Sequence, residues 1–314
     1  MKNLRHRLEY AIVLTIRATV SVMPESFARG LGSAIGLFFF AVDRPHRRLA
    51  VAQLRAAFPV RTEAECRAIA RATFIHFGRA LVDVLRTSTL SADQLRARVD
   101  VEGLERVRTA LAHGKGVIFT AGHFGFWELH ALAHALYMPP LSVLARPLDN
   151  PYLHALLERA RSATGNKVIY RRGAVRKILR ALHANEGVAI PIDQHISGAD
   201  AMRVDFFGRP AATTTAVAAL ALRTGATVIP VYAWPTGNGR YKLVYEPPIE
   251  MPPPGSPDPL REITQRCTDV LEMYVRRSPH LWLWMHRRWR DVDPEDDVSG
   301  MFPAAASDER DSVD

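Results

Sequence analysis

The chain has 314 residues, 48% of them hydrophobic and 23% charged, which excludes wholesale disorder, a collagen-like repeat and a polytopic transporter. Cys66 and Cys267 stand far apart with no C-x-x-C spacing, so neither a disulfide scaffold nor a zinc ribbon is encoded, and the usage fits a reducing compartment. The net charge of +9 is uneven: residues 291–314 carry nine acidic side chains against one basic, so the other 290 residues hold +17. A body that basic points to nucleic acid, an anionic membrane surface or a phosphorylated substrate.

Two apolar helices open the chain. Residues 10–23 and 27–42 each fall short of the ~20 residues of a membrane span, and Arg17 interrupts the first. Lys2, Arg5 and Arg7 precede it as in a secretory signal, but Met23-Pro24-Glu25 is not a small-residue cleavage site. With flanking arginines and consecutive Phe38, Phe39 and Phe40, the pair is expected to lie on or dip into a bilayer; ordinary core helices are the alternative. A basic helix follows over 43–58 and ends at Pro59. Thr62 and Glu65 then form a capping box for a helix over 63–87. Residues 1–99 therefore read as a helical, membrane-associating region.

From residue 100 the period changes. Helices over 103–112, 127–137, 151–163, 173–184 and 213–223 alternate with strands at 117–121, 141–145, 167–170, 187–192 and 227–234. This alternation predicts an α/β fold over 100–290, a mostly parallel sheet flanked by helices. Residues 240–250 alternate like an antiparallel edge strand that Pro247-Pro248 ends, and a last helix spans 257–277. The acidic tail, 291–314, reads as solvated and disordered.

Ala121-Gly122-His123-Phe124-Gly125-Phe126-Trp127-Glu128 follows the VIFTA strand, and in open α/β sheets ligands bind beyond the carboxyl ends of strands. On a continuous helix His123 and Glu128 would stand roughly 140° apart, so they meet only if 122–126 form a turn, for which Gly122 and Gly125 supply the freedom. A carboxylate on one imidazole nitrogen would leave the other free to act as general base. A core histidine beside a helix-start glutamate gives the same spacing. His130 and His134, four apart on a helix, have a zinc-chelating spacing, but no H-E-x-x-H accompanies them and no metal is expected.

The H-x4-E of His123 and Glu128 resembles the H-x4-D/E signature of glycerolipid acyltransferases, and its AGHFGFWE setting resembles the bacterial lipid A biosynthesis acyltransferases. Further blocks agree in order: Arg146-Pro147-Leu148-Asp149-Asn150-Pro151, Ile192-Asp193-Gln194, Val204 to Pro210 (VDFFGRP), and the closing Trp282-Leu283-Trp284-Met285-His286-Arg287-Arg288. The resemblance spans roughly residues 5–290. The family commonly has asparagine where this chain has Phe126, a change expected to bear on acceptor or acyl selection, and the acidic tail is a second departure.

The resemblance implies O-acylation of a phosphorylated glycolipid hydroxyl, a lipid A precursor foremost, from an acyl thioester on acyl carrier protein or coenzyme A. Phosphatidylinositol mannoside acylation is the alternative acceptor chemistry, and a basic membrane- or nucleic-acid-binding protein is the non-enzymatic one. His123 would be the base and Glu128 its orienting carboxylate. Arg146, Asp193 and Arg209 would form the substrate-binding set, since guanidinium forks match phosphate, although each arginine equally suits a structural ion pair and Asp193 a turn. Neither cysteine lies in these blocks, which favours direct transfer over an acyl-enzyme, and no cofactor is expected. The expected partners are an anionic membrane surface, the glycolipid and the thioester carrier, not nucleic acid. The expected location is the cytoplasmic face of the inner membrane, held peripherally or by one N-terminal anchor. The tryptophan block suits either an interfacial aromatic belt or a packed core end.

Overall fold

A computed structural model describes residues 2–290 apart from 146, 171 and 172. The acidic tail, Arg146, Arg171 and Arg172 therefore lie outside the described residues. Four helices lead: α1 (Lys2–Val22), α2 (Glu25–Val42), α3 (Arg44–Ala57) and α4 (Glu63–Thr87), followed by a single turn of helix, α5 (Ala92–Arg96). Thr62 and Glu65 cap α4 reciprocally, as the sequence predicts. The α/β part runs β1 (Val99–Glu102), α6 (Leu104–Ala112), β2 (Val117–Ala121), α7 (Leu129–His134), β3 (Ser142–Ala145), α8 (Pro151–Ser162), β4 (Lys167–Tyr170), α9 (Ala174–His183) and β5 (Gly187–Pro191). It continues β6 (Ala201–Phe206), β7 (Arg209–Thr214), α10 (Ala216–Thr224), β8 (Thr227–Gly237), β9 (Arg240–Tyr245) and α11 (Pro259–Arg277).

Seven strands form one sheet in the order β1-β9-β8-β2-β5-β3-β4. All neighbours are parallel except β8 and β9. The mostly parallel α/β fold expected from the alternation is thus the observed one. Strand β2 lies between β5 and β8 and is buried at every residue, as a strand with helices on both faces should be. Its side chains alternate: Val117, Phe119 and Ala121 join the core under α7, and Ile118 joins the core under α9 and α10. Two expectations need correction. Strand β9 is antiparallel to β8 but is not an edge, because the four-residue β1 pairs along its other side. Thr213 and Thr214 end strand β7, which pairs with β6 in a separate antiparallel hairpin, so α10 begins only at Ala216.

The helical N-terminal part joins this core through α3 and α4. Leu54, Ala57, Cys66 and Ala70 share one buried cluster with Trp282 and Trp284 from the chain's end. Helix α2 crosses α4 on glycines: a Cβ at Gly36 would overlap the Phe74 carbonyl oxygen, and one at Gly78 would overlap that of Gly32. This close crossing leaves the opposite face of α2 outward, with Phe27, Phe38, Phe39 and Val42 exposed, and α1 likewise exposes Leu4, Leu8 and Ile12. By length and composition α2 is, among the described residues, the one helix apolar enough to cross a membrane.

Candidate active site

Two turns leave the carboxyl ends of adjacent strands. Ala121 pairs with Pro191 at the ends of β2 and β5, so the residues two beyond each, His123 and Asp193, emerge side by side. His123 Nδ1–H donates to Asp193 Oδ1 at 2.8 Å, and the His123 backbone N–H donates to Oδ2 at 2.6 Å. The indole Nε1–H of Trp282 donates to the same Oδ2 at 2.9 Å. The Asp193 side chain is only 2% exposed, whereas that of His123 keeps 20%. With Nδ1–H held by the carboxylate, Nε2 is the nitrogen left to accept a proton. The Gln194 amide nitrogen stands 3.5 Å from it.

The electrostatics follow the geometry. Burial pulls the His123 pKa down, but the charge and hydrogen bond of Asp193 outweigh it, and the net shift is upward. Burial pushes Asp193 up, yet His123, with help from the Trp282 donor, holds it well below the ordinary carboxylate range. The pair is therefore an ionised carboxylate beneath an imidazole of enhanced basicity.

The turn carrying His123 is fixed from three sides. Gly125 has φ +59°, and a Cβ there would overlap the Ala233 carbonyl oxygen, so glycine is required on both counts. Its N–H donates to Leu281 O and that of Phe126 to Ala233 O, each at 2.8 Å. Its carbonyl oxygen accepts from His76 Nε2 at 3.0 Å. Phe124 and Phe126 anchor the turn in the core, each 1% exposed; Phe126 packs on Tyr241. The position where the family commonly has asparagine is thus buried under the turn.

Glu128 is not where the spacing argument puts it. The turn that would bring it to His123 does form, but Asp193 occupies the imidazole, and Arg161 of α8 takes the glutamate in a bidentate pair, Nη2 at 2.6 Å and Nε at 3.0 Å. Glu128 still acts on His123 through space, raising its pKa. Asp193, expected among the substrate ligands, is instead sealed beneath the histidine as its hydrogen-bond partner. Arg161 was not among the residues singled out, and no local signal marks it, since it lies 33 positions from its partner. Helix α8 in turn is tied to α1. The Asn150 side chain caps α8 by accepting from Tyr152 and Leu153 N–H, and it donates to His6 O and Glu9 Oε2.

The closing tryptophan–histidine–arginine block holds the other turn, one contact per residue. Trp282 grips Asp193, the Arg288 Nη1 donates to Gln194 O at 3.4 Å, and His286 Nε2 accepts from His195 N–H at 2.9 Å. Burial drives the His286 pKa to about 4, which keeps that nitrogen an acceptor. Arg288 is fully buried, bonded also to Ala212 O and Thr213 Oγ1, and burial lowers its pKa to about 10. Gln53 of α3 donates to Trp284 O and His286 O and accepts from Arg288 N–H. Trp282, Trp284 and Trp289 are at most 2% exposed, which decides for a packed core end over an interfacial belt.

Arg209 starts β7 and lies over the Trp289 ring at 5.0 Å. Arg176, Lys177 and Arg180 are exposed on α9. His130 and His134 are buried in the core, His134 against the Tyr245 hydroxyl, and burial moves their pKa values to about 3 and about 4. Among the described residues no group of three or more His, Cys, Asp and Glu side chains is arranged to hold a metal.

Comparison with known proteins identifies the family. The lipid A biosynthesis palmitoleoyltransferase of Escherichia coli is 27% identical over 266 residues, covering 83% of this chain and 84% of the relative. The lauroyltransferase of the same organism is 26% identical over 263 residues, covering 83% and 84%. A phosphatidylinositol mannoside acyltransferase of Mycolicibacterium smegmatis is 23% identical over 275 residues, covering 86% and 88%. Residues 1–291 match the family described as bacterial lipid A biosynthesis acyltransferase, and with that match over nearly its whole length the chain belongs to this family of non-aminoacyl acyltransferases.

Proposed function

We propose that the protein transfers a fatty acyl chain from a thioester to a hydroxyl of a phosphorylated glycolipid, a lipid A precursor, with His123 as general base. The observation that carries this reading is a histidine whose Nδ1 is held by a buried carboxylate, which leaves Nε2 to accept a proton, at the carboxyl end of a central parallel strand. The acceptor O–H gives its proton to Nε2, and its oxygen attacks the thioester carbonyl. The tetrahedral intermediate collapses with rupture of the carbon–sulfur bond, and the imidazolium returns the proton to the leaving thiolate. Asp193 fixes the tautomer and stabilises the imidazolium. Glu128 positions the turn through Arg161 and adds negative potential.

Arg146 and Arg209 are the candidate ligands for substrate phosphate, and acyl carrier protein or coenzyme A carries the donor. The outward apolar faces of α1 and α2 support attachment to the cytoplasmic face of the inner membrane, where such an acceptor resides. Mass spectrometry of products from lipid A precursor and acyl–acyl carrier protein tests the reading. One added acyl mass, absent for His123→Ala, is expected. Normal turnover by that variant would overturn the base assignment. No added mass with either protein would move the acceptor to mannosylated phosphatidylinositol with acyl-coenzyme A.

A further inference from the structure

A cavity of about 290 Å³ lies where α2 and α4 pass over the carboxyl end of β8, the strand beside β2. Phe126 of the histidine turn and Leu281 form part of its wall, and Arg29 and Arg79 line it. Nearby cations are paired: Arg86 and Arg98 share Glu25 at 3.2 and 3.4 Å. The Arg29 guanidinium makes no hydrogen bond or ion pair with any described residue, and among these residues the Arg79 guanidinium reaches only the Ser33 hydroxyl, at 2.8 Å. The acid on the cavity wall, Asp83, is engaged by the Tyr241 hydroxyl, and burial raises its pKa. Burial and repulsion from Arg29 lower the pKa of Arg79 and the charge of Asp83 only partly offsets them, so two guanidiniums share the cavity lining with no carboxylate in salt-bridge contact with either among the described residues.

We infer that this cavity binds the phosphate monoester head of a membrane lipid. Two guanidiniums lining one cavity match a group that carries close to two negative charges and offers several acceptor oxygens. Helix α2 supplies both Arg29 and the outward Phe27 and Phe38, so an anion in the cavity sits at the edge of an apolar surface. That geometry suits a head group whose chains lie against the helix. The lipid assignment rests on the membrane-facing reading of α2 given above; the phosphate assignment does not.

The test is binding without acyl donor, so that neither arm depends on turnover. Wild-type protein is sedimented with phosphatidylcholine vesicles carrying phosphatidic acid, or carrying phosphatidylglycerol at equal charge. Preference for the monoester lipid is expected, kept by His123→Ala and reduced roughly tenfold by Arg29→Gln, the loss of one charge-assisted pair. Arg29→Gln removes no bond made by the described fold, so it should remain folded, which its melting temperature checks. Equal binding to both vesicles, or an unchanged preference in Arg29→Gln, overturns the inference. A second arm measures thermal stabilisation by glycerol 3-phosphate and by inorganic phosphate. Stabilisation lost in Arg29→Gln without any vesicle preference would retain the phosphate site and reject the lipid; stabilisation in neither arm rejects both.

Discussion

Asp193→Asn separates orientation of the base from its presence. Oδ2 of Asp193 receives two donors, His123 N–H at 2.6 Å and Trp282 Nε1–H at 2.9 Å, whereas Oδ1 receives only His123 Nδ1–H. An asparagine has one acceptor oxygen to place. If it faces the two donors, the amide NH₂ points at Nδ1, which must then lose its proton, and the proton moves to Nε2, where the base is needed. The opposite rotamer keeps the useful tautomer but turns an NH₂ against two buried N–H groups, at about 1–3 kcal/mol each. The productive form is thus disfavoured by roughly 2–6 kcal/mol, and since about 1.4 kcal/mol is one decade, kcat should fall by about 30-fold to 10⁴-fold. Initial rates of acyl transfer from pH 5 to 9 measure it. In the wild type the acid limb marks the raised pKa of His123, below which the base is protonated. In the variant the Asp193 carboxylate, the main influence raising that pKa, is gone, burial is opposed only by the more distant Glu128, and the limb moves to lower pH. The stability difference between the two proteins has a matching window. Asp193, with its lowered pKa, contributes fully above the normal carboxylate range and loses its contribution as pH falls through the depressed value. His123, with its raised pKa, contributes below about 6.5 and loses its contribution as pH rises through the raised value. The gap should therefore be widest from about pH 4 to 6.5. A variant within fivefold of wild-type kcat, or an unmoved acid limb, would refute the assignment of Asp193.

Glu128→Gln leaves Asp193 on the imidazole but strands the partly buried Arg161 guanidinium, so it should lower the melting temperature; adding Arg161→Gln should restore much of that loss. Restored stability without restored kcat would mean that Glu128 acts by more than positioning. Trp282→Phe removes a donor from Asp193, which concentrates the carboxylate's charge on His123; the acid limb should move to higher pH, and a shift to lower pH would contradict the contact. Asn150→Asp keeps a good cap for α8 but sets a carboxylate against Glu9. Faster tryptic cleavage within α1 with an unchanged pH profile is expected, and unchanged cleavage would show that the α1–α8 tie carries no weight.

The legible parts of the fold are those whose signal is local. Buried parallel strands such as VIFTA and GVAIP declare themselves by unbroken apolar runs between helical periods, and Thr62 with Glu65 declares a helix start. The hairpin of β6 and β7 escaped because RPAATT opens with an arginine and a proline and carries no large apolar side chain to alternate. Four-residue β1 escaped because VDVE is too short for a period, and its absence from the reading left β9 looking like an edge.

The same distinction explains the site. His123 was legible because strand, glycine turn and helix are contiguous around it, but its partner was not. A carboxylate five residues along is the obvious choice in one dimension, and Asp193 is 70 residues away. Only the register of β2 against β5, Ala121 beside Pro191, makes residues 123 and 193 neighbours, and register is a property of the sheet rather than of either strand. Once Asp193 is under the imidazole, Glu128 is released to Arg161, and the turn becomes coupled to α8 and, through Asn150, to α1. The histidine is therefore aligned from two directions. The C-terminal block sets the carboxylate below it, and a chain of polar contacts running out to the first exposed apolar helix steadies the turn above it.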